Sequence, residues 1–328
     1  MRLVTYSWKG QAALGALWAE RVVDLRRAHA AALRHWGDAD ELAVADLRVP
    51  GDLLGLLRGG ETSMAAARRA LLLIDGQGLA DRERGLSHPL ADVELLAPVL
   101  RPGKVVCVGL NYRSHLAEIG EPAPEYPILF HKAATSLVGH RQPIVLPRVS
   151  RQVDYEGELA VVIGRRAKYV PEPEALSYVA GYTCANDVSA HDLEFRTSQW
   201  TSGKMLDTFC PLGPVLRTRD EVPDPGRLRL RTVLNGQTVQ EACTSDMVFS
   251  VPFLVSYISS LATLEPGDVI LTGTPSGIGC NRRPRVFLRA GDRISVHIEG
   301  IGTLTNPVVA EEGVCGTDSE RPYKGQTP

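Results

Sequence analysis

Long apolar runs are missing from this chain of 328 residues. The longest pieces, such as 71–74 and 159–164, fall far short of the ~20 residues that span a bilayer, so no membrane passage is expected. The start Met1-Arg2-Leu3-Val4-Thr5 turns polar before any signal-peptide core develops. Charge of one sign is scarce too: the formal net charge is -2, which leaves no broad basic surface for nucleic acid. Paired cysteines are also absent. Cys107, Cys184, Cys210, Cys243, Cys280 and Cys315 are scattered without a C-x-x-C, which suits reduced thiols better than a disulfide framework or a zinc site. Neither G-x-G-x-x-G nor G-x-x-x-x-G-K-[ST] occurs, and no α/β alternation runs long enough for a dinucleotide-binding sheet. With 44% apolar and 23% charged residues, the composition is that of a globular protein able to bury a core without covalent staples. A cytoplasmic enzyme is expected.

The first hundred residues differ in texture from the rest. Residues 2–7 and 16–25 read as strands joined through Lys9-Gly10-Gln11. Alanine- and leucine-rich stretches at 29–36 and 63–74 carry helical spacing, the second capped by Thr62 or Ser63 and stopped by Gly76. Beyond Lys104, short β segments alternate with turns. Candidate strands are 105–109, 144–146, 157–163, 228–234, 269–271, 293–298 and 302–307, with turns at Asn235-Gly236, Pro266-Gly267-Asp268 and Ala290-Gly291-Asp292. Short helices are expected at 112–119 and 251–261. The expected organisation is a smaller N-terminal domain over 1–100, a catalytic domain over 101–313 and a flexible tail over 314–328.

Several segments carry chemistry. In Asp154-Tyr155-Glu156-Gly157-Glu158 the acids run into the apolar stretch 159–163. Along a strand, residues two apart share a face roughly 6.5–7 Å apart, so Glu156 and Glu158 project together with Asp154 in line behind them. Carboxylates crowded at the mouth of an apolar strand repel and resist desolvation. A hard divalent ion with oxygen ligands relieves both, which points to Mg2+ or Mn2+, with Ca2+ as a substitute, rather than zinc. The same spacing also fits a solvated edge strand. Asp187 in Asn186-Asp187-Val188-Ser189 could complete a three-carboxylate set, Asp192 is the competing choice, and an Asx-turn is the plain alternative. On a short helix, His115 and Glu118 lie at i and i+3, the spacing of a carboxylate-held general base or of a surface pair. Lys204, amid small and apolar residues, could hold an anionic oxygen or simply face solvent. The glycine-rich turn Gly273-Thr274-Pro275-Ser276-Gly277 could receive a carboxylate on its amides and the Thr274 hydroxyl.

In this order the segments resemble the fumarylacetoacetate hydrolase family. The matching text is Val108-Gly109-Leu110-Asn111-Tyr112 with His115 and Glu118, Phe130-His131-Lys132, Asp154-Tyr155-Glu156-Gly157-Glu158-Leu159, Gly181-Tyr182 and Asn186-Asp187-Val188-Ser189-Ala190. It continues through Asp207-Thr208-Phe209, Gly213-Pro214, Gly273-Thr274-Pro275-Ser276-Gly277 and Glu299-Gly300-Ile301-Gly302, roughly residues 104–310. The resemblance implies an α+β, mainly β protein: a mixed β-roll catalytic domain preceded by a smaller N-terminal α/β domain, assembled as a homodimer. It implies Mg2+ or Mn2+ held by Glu156, Glu158 and Asp187, a water-activating dyad of His115 and Glu118, Lys204 at the metal site, and Lys132 and Thr274 lining the substrate pocket. The implied partner is a 2-oxo or dicarbonyl acid of the kind met in aromatic catabolism. The expected reaction is hydrolytic C–C cleavage of a 2,4-dioxo acid or related β-diketone through an enolate. A decarboxylase, isomerase, hydratase or lyase acting on a 2-oxo acid such as oxaloacetate is the alternative on the same scaffold, and a non-catalytic ligand-binding protein a further one. The chain departs from the resemblance in Ser189-Ala190-His191-Asp192, where Arg commonly replaces the histidine, and at Glu194, where Gln is frequent. His191 could steady an anionic intermediate only as an imidazolium or as a neutral donor.

Overall fold

Lys9 and Gly10 both take positive φ (51° and 80°), the backbone of a tight hairpin turn. They join β1 (Arg2–Trp8) to β2 (Gln11–Trp18). Ala19, at φ 47°, reverses the chain again into β3 (Arg21–Asp24). The single strand expected over 16–25 is therefore two. The computed structural model of the protein describes residues 1–37, 41–77 and 85–312; the tail expected over 314–328 lies outside the described residues.

Four helices follow: α1 (Leu25–His35), α2 (Glu41–Arg48), α3 (Leu53–Arg58) and α4 (Gly60–Gln77). Asp24 caps α1 by accepting from the Arg27 amide at 2.9 Å. α4 starts before Ser63 and runs through Gly76, unlike the expected cap and stop. Its buried stripe Ala66, Ala67, Ala70, Leu71 and Ile74 shares a core with Ala28, Ala31 and Ala32 of α1, and that packing outweighs local end signals.

The remaining strands are β4 (Ser87–Pro89), β5 (Glu94–Leu95), β6 (Val105–Gly109), β7 (Ile128–His131), β8 (Leu137–Val138), β9 (Ile144–Leu146), β10 (Val153–Asp154), β11 (Gly157–Ile163), β12 (Val179–Asn186), β13 (Ser189–Ala190), β14 (Cys210–Thr218), β15 (Arg229–Leu234), β16 (Gln237–Cys243), β17 (Val269–Leu271), β18 (Arg293–Ile298) and β19 (Gly302–Ala310). Short helices α5 (Arg113–Ile119), α6 (His191–Glu194) and α7 (Thr201–Lys204) and the longer α8 (Val251–Leu261) lie between them. The protein is α+β and mainly β.

Among the described residues, twelve strands form one sheet along the path β4-β3-β2-β1-β14-β12-β11-β17-β6-β7, with β5 on β1 and β8 on β14. A second sheet runs β16-β15-β18-β19-β9, and β10 pairs with β13. β19 outruns its expected end because Val308, Val309 and Ala310 pair with β9. β11 is buried at every position. Its Ala160 and Val162 join the core beneath α1 and α4, while Leu159, Val161 and Ile163 join the opposite core beneath α8. A strand covered on both faces carries whatever acids it bears into the interior. Among the described residues no helix is long and apolar enough to cross a membrane.

Candidate active site

The register of β11 on β12 assembles the acidic cluster. Glu158 lies opposite Ala185 and Gly157 opposite Asn186, so one step further brings Glu156 beside Asp187, whose amide donates to the Glu156 carbonyl at 2.8 Å. Glu156 and Glu158 share a face by the two-residue period. Each of the three acids offers an oxygen within 4.8 Å of the others', and all three are buried, at 8%, 1% and 0% exposure.

Two buried lysines face this cluster. Lys204 donates to Glu156 Oε1 at 2.9 Å and to Asp187 Oδ2 at 3.0 Å. Lys132 donates to the other Asp187 oxygen and to the Val188 carbonyl at 3.0 Å. The Ser189 hydroxyl adds a bond to Glu156 at 2.9 Å. Gly273, at φ 101°, turns its amide onto Glu158 Oε2 at 2.6 Å where a side chain would strike Asn111. Burial raises Glu156, to about 7 despite Lys204. Burial, then Asp187 and Glu156, raise Glu158 well above the usual carboxylate range. Burial pushes Asp187 upward as well, but Lys132 and Lys204 outweigh it and hold Asp187 low. Lys204 loses to burial and gains more from Asp187, Glu156 and Glu194, so it stays an ammonium. Two carboxyls that prefer a proton mark a cluster short of positive charge. Its donors are all hard oxygens. The residues fit a Mg2+- or Mn2+-class ion.

His115 and Glu118 come from α5, and Asn111 just before that helix clamps it. The Asn111 side chain bonds the Thr272 carbonyl at 2.7 Å and both the amide and carbonyl of Phe249. Asp246 caps the Ser114 amide at 3.0 Å, and Gly120 closes the helix at φ 76°. His115 Nδ1 lies 3.2 Å from Glu118 Oε2. Glu118 is itself anchored by the Gly277 amide at 2.9 Å and Asn281 Nδ2 at 3.0 Å. Burial lowers the His115 pKa below its ordinary 6.5, more than the Glu118 contact raises it, so the imidazole is neutral near pH 7.

A pocket of about 280 Å³ joins these groups. Glu156, Lys204, His115, Glu194 and Thr274 bring polar atoms to it, and Val108, Phe130 and Trp200 form apolar wall. Two roomier clefts, about 390 and 490 Å³, flank Arg68 and hold none of the three acids.

The structure brings Glu156, Glu158, Asp187, Lys204 and Lys132 into one cluster and sets His115, Glu118 and Thr274 beside it. Lys132 is turned to Asp187 rather than into the pocket lining. The Thr274 hydroxyl is occupied, donating to the Gly157 carbonyl at 3.0 Å and accepting from Gln240 Nε2 at 2.8 Å. Two expectations are corrected. Asp154 does not stand in line behind Glu156 and Glu158, because the chain leaves the ladder between β10 and β11 and Asp154 bonds the Gly279 and Cys280 amides instead. Asp192 is outside the cluster, bonded to Ser150 Oγ at 2.5 Å and the Arg151 amide at 3.0 Å. Sequence reading missed Gln240 and Asn281, whose partners lie 34 and 163 residues away; Asn281, the first polar side chain after the glycine-rich turn, was the one visible hint.

The model of the fumarylacetoacetate (FAA) hydrolase C-terminal domain matches residues 104–309. A human protein named oxaloacetate tautomerase FAHD2A, mitochondrial, is 45% identical over 275 residues, covering 83% of this chain and 84% of that protein. Among solved structures, a 5-carboxymethyl-2-hydroxymuconate delta-isomerase from Mycobacterium smegmatis is 36% identical with a TM-score of 0.70, covering 95% of this chain and 99% of its own. A maleylpyruvate hydrolase from Sphingobium sp. SYK-6 is 30% identical with a TM-score of 0.68, covering 95% and 100%.

Proposed function

The chain belongs to the fumarylacetoacetate hydrolase family of enzymes, and from that premise we propose that it is a divalent-cation-dependent tautomerase of a short 2-oxo dicarboxylic acid, with the enol and keto forms of oxaloacetate as its substrate pair. The observation that carries this is a neutral, carboxylate-held imidazole sharing a small pocket with a buried lysine and with Glu156, one of three convergent carboxylates. The human relative's name supplies the substrate class. Glu156, Glu158 and Asp187 would hold the cation. When bound, it supplies Lewis acidity toward the 2-oxo oxygen and neutralises the cluster.

The remaining work falls to side chains. Tautomerisation moves one proton between carbon and oxygen with no net gain or loss of atoms. His115, neutral and buried, takes the proton from the carbon beside the 2-oxo group and passes it to the enolate oxygen in one direction, and takes it from the enol hydroxyl and returns it to carbon in the other. Glu118 holds the Nδ1 side of the ring, which leaves Nε2 for the transfer and steadies the imidazolium that forms. Lys204 places fixed positive charge beside the oxygen that gains electron density, and in a buried site that charge is screened little. Val108, Phe130 and Trp200 keep the reacting carbon away from bulk water.

A second reading, hydrolysis of a 2,4-dioxo acid, is favoured by the same dyad, because an oriented neutral imidazole also serves to deprotonate water; the Sphingobium relative is named a hydrolase. The deciding experiment gives the Mn2+-loaded protein oxaloacetate enol and a panel of acylpyruvates, following enol loss by ultraviolet absorbance and quantifying pyruvate and CO2. Enol loss well above the buffer rate, without pyruvate or CO2, supports tautomerisation. Pyruvate from acylpyruvates with no acceleration of enol loss replaces it with the hydrolase, and CO2 from oxaloacetate replaces it with a decarboxylase.

A further inference from the structure

His191 heads α6 with both ring nitrogens on carboxylates: Nδ1 lies 2.8 Å from Glu194 Oε2 and Nε2 lies 3.0 Å from Asp154 Oδ2. Two carboxylate acceptors require a proton on each nitrogen, so the ring is an imidazolium by geometry. Burial works against the charge, but the bonds to Asp154, Cys280 and Glu194 overcome it and hold the pKa up to about 12. No N–H is left for a substrate. His191 therefore does not present a donor to the pocket in the way the sequence comparison with arginine suggests.

Asp154 explains what the imidazolium does instead. It is fully buried and takes four donors: the Tyr155 and Gly279 amides on Oδ1, both at 2.8 Å, and the Cys280 amide at 2.7 Å with His191 on Oδ2. A Cβ at residue 279 would come within 1.8 Å of the Val286 carbonyl oxygen and 2.6 Å of Asp154 Oδ1, so only glycine lets the segment approach both. Although Asp154, His191 and Cys280 lie close enough to share an ion, the saturated carboxylate and the doubly bonded ring make this an ion pair.

The segment Asp154 holds is the one that holds Glu118. Gly277 and Asn281 flank the two amides bound by Asp154, and they supply both anchors of the Glu118 carboxylate. We infer that His191 is a positioning residue for the proton-transfer dyad: it neutralises Asp154, Asp154 pins the 277–281 segment, and that segment fixes Glu118 and through it the ring of His115. The competing path runs the other way, from Glu194 to Lys204 and the acidic cluster, which the Glu194 charge influences. The two paths differ in what they disturb. This inference rests on the proposed role of His115 for its kinetic consequence, not for its structural one.

The test compares His191→Gln and the isosteric Asp154→Asn with the wild type, all full-length and Mn2+-loaded. The second variant serves where the first does not fold. Without substrate, hydrogen exchange of the 276–282 peptide should accelerate at least tenfold in the variants, with the 157–163 strand unchanged. With oxaloacetate enol, kcat should fall at least tenfold while KM and Mn2+ affinity stay within twofold. Unchanged exchange in a folded variant overturns the inference. So does Mn2+ affinity that falls in step with kcat, which would place His191 on the path to the acidic cluster. Faster exchange in variants of a protein that turns over no panel substrate would sink the proposed function and leave this inference standing.

Discussion

His115 titrates low because it is buried, and the sign of the rate–pH curve follows. In the proposed mechanism the active form is the neutral base, so kcat/KM should rise as His115 loses its proton. Its pKa lies below 6.5, so the acid limb of the profile should fall below that value and activity should be level through neutrality. Glu118 is the group that raises this pKa; Glu118→Gln should move the limb to still lower pH while reducing kcat. Steady-state rates from pH 4.5 to 8 check both, and a limb at or above 6.5 would remove His115 as the base. His115→Gln should cost ~10²–10⁴-fold in kcat with Mn2+ affinity, measured by calorimetry, little changed. At this scale Glu156 and Glu158 were legible in the sequence because their relation is local, set by the two-residue strand period. Asp187 was one choice of two until the resemblance favoured it, since its place beside Glu156 depends on which strand pairs with which. Gln240, which occupies the Thr274 hydroxyl, left no local trace.

β11 carries the central tension between stability and function. Buried on both faces, it brings Glu158 to 1% exposure, where burial and the neighbouring acids raise its pKa. A folded-state pKa above the unfolded value means that the metal-free protein is steadied while Glu158 keeps its proton and loses that contribution as pH rises through the folded pKa. A bound cation reverses the balance by compensating the ionised form. Glu158→Gln should therefore melt higher than the metal-free wild type at pH 8, yet gain nothing from Mn2+, which should raise the wild-type Tm. Calorimetry with chelator and with Mn2+ reads both; equal Mn2+ stabilisation of the two proteins would remove Glu158 from the ligand set. β11, β6, β9, β17 and β18 were readable to their ends because short apolar runs bounded by turn residues have few other uses. The 16–25 stretch was not, because the reversal at Ala19 uses a residue with no turn signature, and α4 was misjudged because its packing on α1 extends it past Ser63 and Gly76.

At the scale of the whole molecule, the change in texture near residue 100 does not coincide with an edge of the sheet. β1 lies antiparallel to β14 through Arg2↔Arg217 and Leu3↔Leu216, and β14 carries the sheet on to β12 and then β11, so the strand that begins the chain is three ladders from the acidic cluster. The core beneath α1 and α4 draws on both sides of residue 100: Leu25, Ala67 and Ile74 share it with Ala160, Val162, Leu212 and Leu271. Removing residues 1–100 would strip the β1 edge from β14 and expose the face of β11 that carries Ala160 and Val162. An uncovered strand edge beside exposed apolar surface favours association between chains. We therefore propose that the two parts fold as one cooperative unit, whatever their separate histories. A scanning calorimetry trace of the full chain should show a single transition, with agreement between calorimetric and van't Hoff enthalpies, and residues 101–328 expressed alone should aggregate or fail to bind Mn2+. Two resolved transitions, or a soluble, Mn2+-binding fragment, would instead make the N-terminal part a separable module whose sheet contact is incidental to the chemistry.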